Sequence, residues 1–290
     1  ALDFITSISE ETIRDLFRLA FGSIMVNVSN YSYEPSLTRR ASVGKPDIAD
    51  APIGKLLAAK LRLMMDDITW LQHQMEAFKR LPKAEVKNKS FLSVYGRPEL
   101  AESIDLIVTS PPYLNNYHYP RNTRPQLHWL GYATGRGYQG AREDESFGKF
   151  WQTVRCLPAQ RLDFRMPELE DVIQEIRSTN TGRGSYGGPG WANYVATYFN
   201  DTYRFCRIVS GILREGGVAV IVLGNSILQG IEVRTDHYFG KIAELCQLRF
   251  EDTLLLRKKR TGTSIIKSSV RVDKAPQKTE LYESAVIIRK

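Results

Sequence analysis

Residues 104–113 read Ile104-Asp105-Leu106-Ile107-Val108-Thr109-Ser110-Pro111-Pro112-Tyr113. The first part of this run is largely apolar and rich in β-branched side chains, which predicts a buried strand. The double proline cannot continue a central strand because proline has no backbone N–H to donate. In open α/β sheets, ligands bind at the carboxyl ends of the strands. We therefore expect a ligand site here, formed by a hydroxyl, two stiff prolines and an aromatic ring.

The motif that ends this strand resembles a known catalytic signature. Thr109-Ser110-Pro111-Pro112-Tyr113 is similar to the signature of the DNA amino-methyltransferases, which transfer a methyl group from S-adenosylmethionine to N4 of cytosine or N6 of adenine. In that family Ser, Asn or Asp comes first, then Pro-Pro, then an aromatic residue. Ser in first place is commoner among the N4-cytosine enzymes, so the resemblance implies N4 chemistry and leaves N6 open. Residues 114–121 and 127–132 also resemble one branch of the modification methylases.

The chemistry of an exocyclic amine explains these residue types. Its lone pair is delocalised into the base, so the site must hold the nitrogen with its lone pair aimed at the methyl group. The Ser110 hydroxyl and the Pro111 carbonyl can each accept one amine N–H, and the fixed φ of Pro111 and Pro112 holds these acceptors in place. Tyr113 would stack on a base that has been extruded from the duplex. The alternative is a surface turn or a polyproline-type ligand.

The composition is that of a globular protein. Its positive charge is compatible with a polyanionic partner. The chain has 290 residues, of which 42% are hydrophobic and 25% charged, and its net charge is +8. The charge suits DNA but also suits an ordinary basic protein. Cys156, Cys206 and Cys246 form no Cys-x-x-Cys or Cys/His cluster, so we expect neither a zinc site nor disulfides, and a reducing cytoplasmic location. We also expect no signal peptide and no membrane span.

The predicted fold is α/β, with a Rossmann-like S-adenosylmethionine-dependent methyltransferase sheet that lacks its first strands and follows a helical N-terminal segment. We expect residues 1–85 to be that segment and residues 86–290 to be the catalytic part, with loop insertions at about 133–190 and 257–280. Hydrophobic periodicity and turn residues predict the elements. One predicted helix starts near Glu11. Three others cover Pro52–Arg80, Trp191–Arg214 and Thr235–Cys246. The predicted strands, besides 104–109, are Ser90–Tyr95, Val218–Leu223 and an antiparallel pair, Phe250–Leu256 and Leu281–Arg289.

Two basic segments are candidates for DNA contacts. One is the polar stretch 29–50, and the other is 257–274, which carries seven basic residues and one acid. Such residues can neutralise phosphates without reading sequence. A solvated loop is the default interpretation of 29–50, whereas phosphate binding is favoured over a solvated loop for 257–274. The candidate DNA-binding residues are Arg39, Arg40, Lys258, Lys259, Arg260 and Lys267.

The resemblance covers about residues 90–290 and is incomplete. The family also has a Phe-x-Gly-x-Gly stretch after its first strand and an acidic residue for the ribose, and the chain shows neither. The glycine clusters at 135–137 and 182–188 do not follow an apolar strand, so we interpret them as mobile connections. Thr109 and Asn225, at the ends of two predicted strands, are the candidate cofactor residues.

These gaps leave several functions open. We expect a split or partial enzyme whose Phe-x-Gly-x-Gly loop lies in a second polypeptide or in a removed segment, with double-stranded DNA as the substrate. An N6-adenine enzyme is one alternative, and a non-catalytic DNA-binding or assembly module with the same fold is another. An RNA or protein-glutamine methyltransferase is a more distant possibility.

Overall fold

The computed structural model describes residues 1–33, 36–76, 83–94, 96, 98–114, 118–133, 135, 137, 142, 143, 145–259 and 280–290. It divides into two compact units: residues 1–88 with 118–140, and residues 89–117 with 141–290. Residues 118–140 thus group with the amino-terminal unit, whereas the sequence placed them in the catalytic part.

The first unit is built from helices and one small hairpin. Its helices are α1 (Leu2–Ser7), α2 (Glu11–Ile24), α3 (Ile53–Glu76), α4 (Tyr119–Asn122) and α5 (Arg124–Trp129). The start of α2 is confirmed, and the Glu10 carboxylate caps it by accepting the N–H groups of Thr12 and Ile13 at 3.0 and 2.7 Å. Helix α3 is confirmed as far as Glu76, and its predicted last turn lies outside the described residues. Leu57 of this helix is buried, whereas Ile68 and Leu71 are exposed.

The stretch 29–50 is not an irregular loop throughout. Strands β1 (Tyr31–Tyr33) and β2 (Leu37–Arg39) pair antiparallel within it. Leu37 is buried, and its N–H donates to Oδ1 of Asn122 at 2.7 Å. This bond spans 85 residues of sequence, so a local reading of the polar stretch could not reveal it.

The second unit contains a four-stranded mixed sheet. Its strands are β3 (Ile104–Thr109), β4 (Leu213–Gly224), β7 (Arg249–Lys259) and β8 (Leu281–Arg289), in the order β3-β4-β8-β7. Strands β3 and β4 are parallel, and β8 is antiparallel to both β4 and β7. The α/β class and the antiparallel terminal pair are thereby confirmed. A separate hairpin joins β5 (Ser226–Leu228) to β6 (Ile231–Val233).

Helices α8 (Gly188–Ile212) and α9 (Thr235–Leu245) pack on one face of this sheet, and α6 (Trp151–Val154) and α7 (Pro167–Ser178) pack against α8. Residues Ala219, Ile221 and Leu223 of β4 share one buried cluster with Phe199 of α8 and Phe239 of α9. Because side chains alternate along a strand, the neighbouring residues of β4 point to the opposite face.

Residues 133–190 are not a plain loop insertion. The described part of this range contains α6, α7 and a 3₁₀ segment at Thr181–Tyr186. Leu169, Ile173 and Ile176 are buried along α7, and their helical spacing was a usable signal that the prediction missed. The following glycines are packing positions, since a Cβ at Gly188 would lie 1.9 Å from the Ile176 carbonyl oxygen.

Three further predictions about the elements are wrong. Residues 90–95 contain a 3₁₀ turn at Phe91–Ser93 in place of a strand. Helix α8 stops at Ile212, before the predicted end at Arg214, and the chain continues directly as β4, which contains Gly216 and Gly217. Strand β3 lies at an edge of the sheet and is not buried, because no other described strand pairs with its free side. The apolar sequence of a strand does not reveal whether a second strand pairs with each of its two edges.

Candidate active site

The four predicted catalytic residues lie together where β3 ends. Ser110 is exposed, Pro111 is buried, and Pro112 and Tyr113 are half-buried. The Ser110 hydroxyl donates to the Tyr113 hydroxyl at 3.5 Å, the outer limit of a hydrogen bond. The backbone therefore turns within the motif and brings the hydroxyl groups of its first and last residues into contact.

The ring of Tyr113 packs against the end of β4. A Cβ added at Gly224 would lie 3.4 Å from Cδ2 of this ring, so the absence of a side chain makes room for it. The parallel register, in which Thr109 pairs with Ile221, brings the carboxyl ends of the two strands side by side. Glycine at the end of β4 thus seats the aromatic residue supplied by the end of β3.

A charged pair lies on the neighbouring strands. Glu283 pairs with Gly224 across the sheet and accepts a hydrogen bond from Nε of Arg257. This bond raises the pKa of Arg257, and the Tyr113 side chain contributes in the same direction.

Ser110, Pro111 and Pro112 border a cavity of about 510 Å³. Thr109 also lines it, so the structure brings this candidate cofactor residue to the same cavity. Most of the remaining wall is apolar and aromatic, with contributions from Phe91, Phe147 and Phe205, and Glu145 supplies a carboxylate. The size is within the range of small-ligand sites, which is roughly 300–1,000 Å³.

Glu145 was not singled out in the sequence, and buried polar contacts fix the segment that carries it. The Ser90 hydroxyl donates to the Glu145 carbonyl at 2.6 Å. On α8, the buried Asp201 accepts the Gly148 N–H at 3.0 Å and pairs with Nζ of Lys149 at 3.9 Å. Burial raises the pKa of Asp201, while these partners act in the opposite direction. No local sequence pattern links residue 145 to the motif, because the hydrogen bond that holds Glu145 comes from Ser90, 55 residues earlier in the chain.

Asn225, the second candidate cofactor residue, does not line the cavity. Its side-chain amide donates to Oε1 of Glu232 at 2.7 Å and to the Glu280 carbonyl at 2.9 Å. Its Oδ1 accepts the Tyr282 N–H at 2.9 Å. Asn225 therefore fastens the start of β8 to the end of β4.

The candidate DNA-binding residues are divided between the two units. Arg39 is exposed on β2, and Nε of Arg40 donates to the Pro46 carbonyl at 2.7 Å. In the second unit, Nζ of Lys258 lies 2.7 Å from Glu280 in an exposed pair. The Lys259 side chain, Arg260 and Lys267 lie outside the described residues.

The described parts of the chain contain no group of three or more His, Cys, Asp or Glu side chains placed to hold a metal ion. Cys156, Cys206 and Cys246 are free thiols. In the same parts, every helix is too short or too polar to cross a membrane.

Comparison with known proteins gives one remote likeness. The structure is similar to that of a candidate DNA modification methylase from Thermus thermophilus, with 15% sequence identity and a TM-score of 0.30. The alignment covers 70% of this chain and 50% of that protein, so the chain spans half of its length. No protein-family model and no curated protein matches the chain. A likeness of this degree carries no argument about function.

Proposed function

We propose that this chain is the catalytic part of a DNA amino-methyltransferase that acts on N4 of an extruded cytosine. The observation that carries the proposal is the position of Ser110-Pro111-Pro112-Tyr113. The motif ends a strand of an α/β sheet, borders a ligand-sized cavity and seats its ring on the next strand. N6 of adenine is the alternative acceptor, because it presents an amine of similar geometry.

The residues divide the work between holding the amine and holding the base. The Ser110 hydroxyl and the Pro111 carbonyl accept the two amine N–H bonds and turn the nitrogen lone pair towards the methyl donor. The face of Tyr113 that is turned away from Gly224 stacks on the extruded base, which recovers part of the cost of unstacking it. Pro112 keeps the backbone between these groups stiff.

The cavity fits one side of S-adenosylmethionine. The Glu145 carboxylate is a suitable acceptor for ribose hydroxyls or an ammonium group, the Thr109 hydroxyl is a second polar contact, and the phenylalanine rings form an apolar wall. Bound there, S-adenosylmethionine would supply an electrophilic methyl group on a sulfonium. The chain's own contribution is to place Ser110 and Pro111 at the mouth of this cavity.

DNA is the proposed substrate, and the basic residues would contact its phosphates. Arg39 and Arg40 would act from the first unit, and Lys258, Lys259, Arg260 and Lys267 from the second. Contacts of this kind give an affinity that falls steeply with salt concentration. A second polypeptide that carries the Phe-x-Gly-x-Gly loop is proposed to complete the enzyme.

A non-catalytic DNA-binding or assembly module with this fold is the second candidate. The engagement of Asn225 by Glu232, Glu280 and Tyr282 favours it. Asn225, one of the two candidate cofactor residues, would then have only a structural role.

A substitution at Ser110 separates the two candidates. Methyl transfer from radiolabelled S-adenosylmethionine to duplex DNA would be measured with the assembled enzyme, and the modified base identified by mass spectrometry. We expect Ser110→Ala to lower the rate by about 100-fold or more, since loss of one preorganised group costs this much at comparable sites. DNA affinity should change less than about twofold, because neutral Ser110 adds nothing to the phosphate contacts that dominate binding.

Ser103→Ala is the matched control. Ser103 is an exposed serine just before β3, and its hydroxyl donates to the Leu100 carbonyl at 2.9 Å. The control should keep full activity. Wild-type protein that binds DNA but transfers no methyl group would favour the non-catalytic module, and equal rates for both variants would remove Ser110 from the mechanism.

A further inference from the structure

The first unit contains a cavity of about 320 Å³ that the proposed function does not use. Its walls come from the end of α2, the chain between α2 and β1, the start of α3, and α5, all of which belong to the first unit. Small-ligand sites span roughly 300–1,000 Å³. The cavity is at the lower end of that range, which suits a compact ligand with one ring system.

Aromatic and aliphatic side chains form most of the lining. Phe21 and Met25 of α2 are buried, and Tyr31 of β1 is half-buried. Trp129 of α5 also borders the cavity, and it is 66% exposed. Tryptophan is highly buried on average, whereas an exposed aromatic ring is a surface on which a nucleic-acid base can stack. The cavity therefore offers aromatic walls to a planar ligand.

One arginine brings a permanent positive charge to the same cavity. Arg124 of α5 is half-buried there, and its Cζ lies 5.6 Å from the centroid of the Tyr31 ring. Within the part of the chain that the structure describes, this cation–π contact is the one interaction of the guanidinium, with neither an ion pair nor a hydrogen bond beside it. A charge that is partly withdrawn from water is normally paired. The N–H groups of Arg124 are thus available to an anion, and their fork matches phosphate oxygens.

The composition of the lining discriminates between classes of ligand. The described lining residues include no Asp or Glu, which disfavours a cation. A purely apolar ligand would cover Arg124 and leave its charge without a partner, which is costly. A ligand that joins a planar ring to an anionic group satisfies both the aromatic walls and the arginine. A nucleotide has this chemistry, because it carries a base and a phosphate.

We propose that this cavity binds one nucleotide, with its base against Tyr31 and Trp129 and its phosphate on Arg124. The nucleotide comes from one of two sources, free solution or an unpaired position in a DNA strand, since both present the same base and phosphate. The proposal does not depend on methyl transfer, because none of these residues lines the cavity that Ser110 borders.

Calorimetric titration of the purified chain tests the proposal. The probes are the 5′-monophosphates of deoxycytidine and deoxyadenosine, each compared with its phosphate-free nucleoside. One nucleotide or both should bind about tenfold or more tightly than the nucleoside, and Arg124→Gln should remove that difference. Trp129→Ala should weaken the binding of nucleotide and nucleoside alike by about fivefold or more, because the base loses a stacking surface.

Two control variants match these substitutions. Arg121 is exposed on α4, and Trp70 is 64% exposed on α3, and neither side chain lines the cavity. Arg121→Gln and Trp70→Ala should bind nucleotides as the wild type does. Circular dichroism would verify that all four variants are folded.

A titration with single-stranded DNA of the same bases distinguishes the two sources. Tighter binding of the strand than of the mononucleotides, weakened by Arg124→Gln, would identify the strand as the ligand, and equal affinities would identify the free nucleotide. Binding of an aromatic carboxylate such as phenylacetate in preference to every nucleotide would overturn the proposal. So would a lack of nucleotide binding, or an affinity that Arg124→Gln and Trp129→Ala leave unchanged. Methyl transfer without nucleotide binding here would remove this proposal alone, and nucleotide binding without methyl transfer would remove the proposed function alone.

Discussion

Alanine at Gly224 should disturb both the sheet and the candidate site. The added Cβ would lie 2.8 Å from the Tyr282 carbonyl oxygen and 3.4 Å from the Tyr113 ring. The first distance is well inside van der Waals contact and involves the backbone of a paired strand, so β8 or β4 must shift. Overpacking of this kind costs about 1–3 kcal/mol of unfolding free energy. Such a shift would displace the Tyr113 ring, which packs on the end of β4, so methyl transfer should fall at least tenfold.

Urea unfolding and the methyl-transfer assay measure the two effects separately. Gly211→Ala is the matched control, because a Cβ at Gly211, in the last turn of α8, would have no heavy atom within 4 Å. Alanine in a helix is favoured over glycine by up to about 1 kcal/mol, so the control should be neutral or stabilising and fully active. If Gly224→Ala matches this control in stability and rate, the seat for Tyr113 does not exist as described.

Three further substitutions test buried and charged groups by their effect on unfolding free energy. The fully buried Tyr198 hydroxyl has no hydrogen-bond partner among the described residues, so Tyr198→Phe should raise stability by about 1 kcal/mol, and a loss of that size would reveal a hidden partner. Burial raises the pKa of Asp201 above its ordinary value of 3.8. The free energy of unfolding of the wild type should therefore fall as the pH rises from 3.8 through the raised pKa. A pH titration of Asp201→Asn should lack this fall. Hydrogen bonds from Arg289 and Arg249 lower the pKa of Glu251 to about 2. Stability from this group is present above pH 4.5 and lost as the pH falls through 2, and an acid titration of Glu251→Gln should lose that component.

Local pattern predicted the regular elements well where one residue period dominates. The apolar repeat that starts near Glu11 and the run before Ser110 both gave elements close to the observed bounds. The 90–95 segment failed because a short apolar run does not distinguish a strand from a turn, and its Phe91 packs against Phe205 of α8 instead of joining the sheet. The tertiary contact between Phe91 and Phe205 therefore determines the conformation of this segment.

The sequence predicted the motif residues, but it did not predict which residues surround them in the fold. Ser110 to Tyr113 are consecutive, and a strand followed by two prolines marks them without knowledge of the fold. Glu145 is held at the same cavity by a hydrogen bond from Ser90 that spans 55 residues of sequence, and the seat of Tyr113 depends on a glycine more than 100 residues away. Such partners have no local signature, because chain reversal brings them together.

The position of β8 has a consequence for how this unit is made. Strand β8 is the last of the described strands in sequence, yet it lies between β4 and β7 and is hydrogen-bonded to both. During synthesis, β3, β4 and α8 emerge long before it, so β4 must wait with one side unpaired until residues 281–289 leave the ribosome. Contacts that span so much sequence form slowly. A nascent chain stalled before residue 281 should therefore expose β4 and be a substrate for chaperones, while the β3–β4 pair is already able to form.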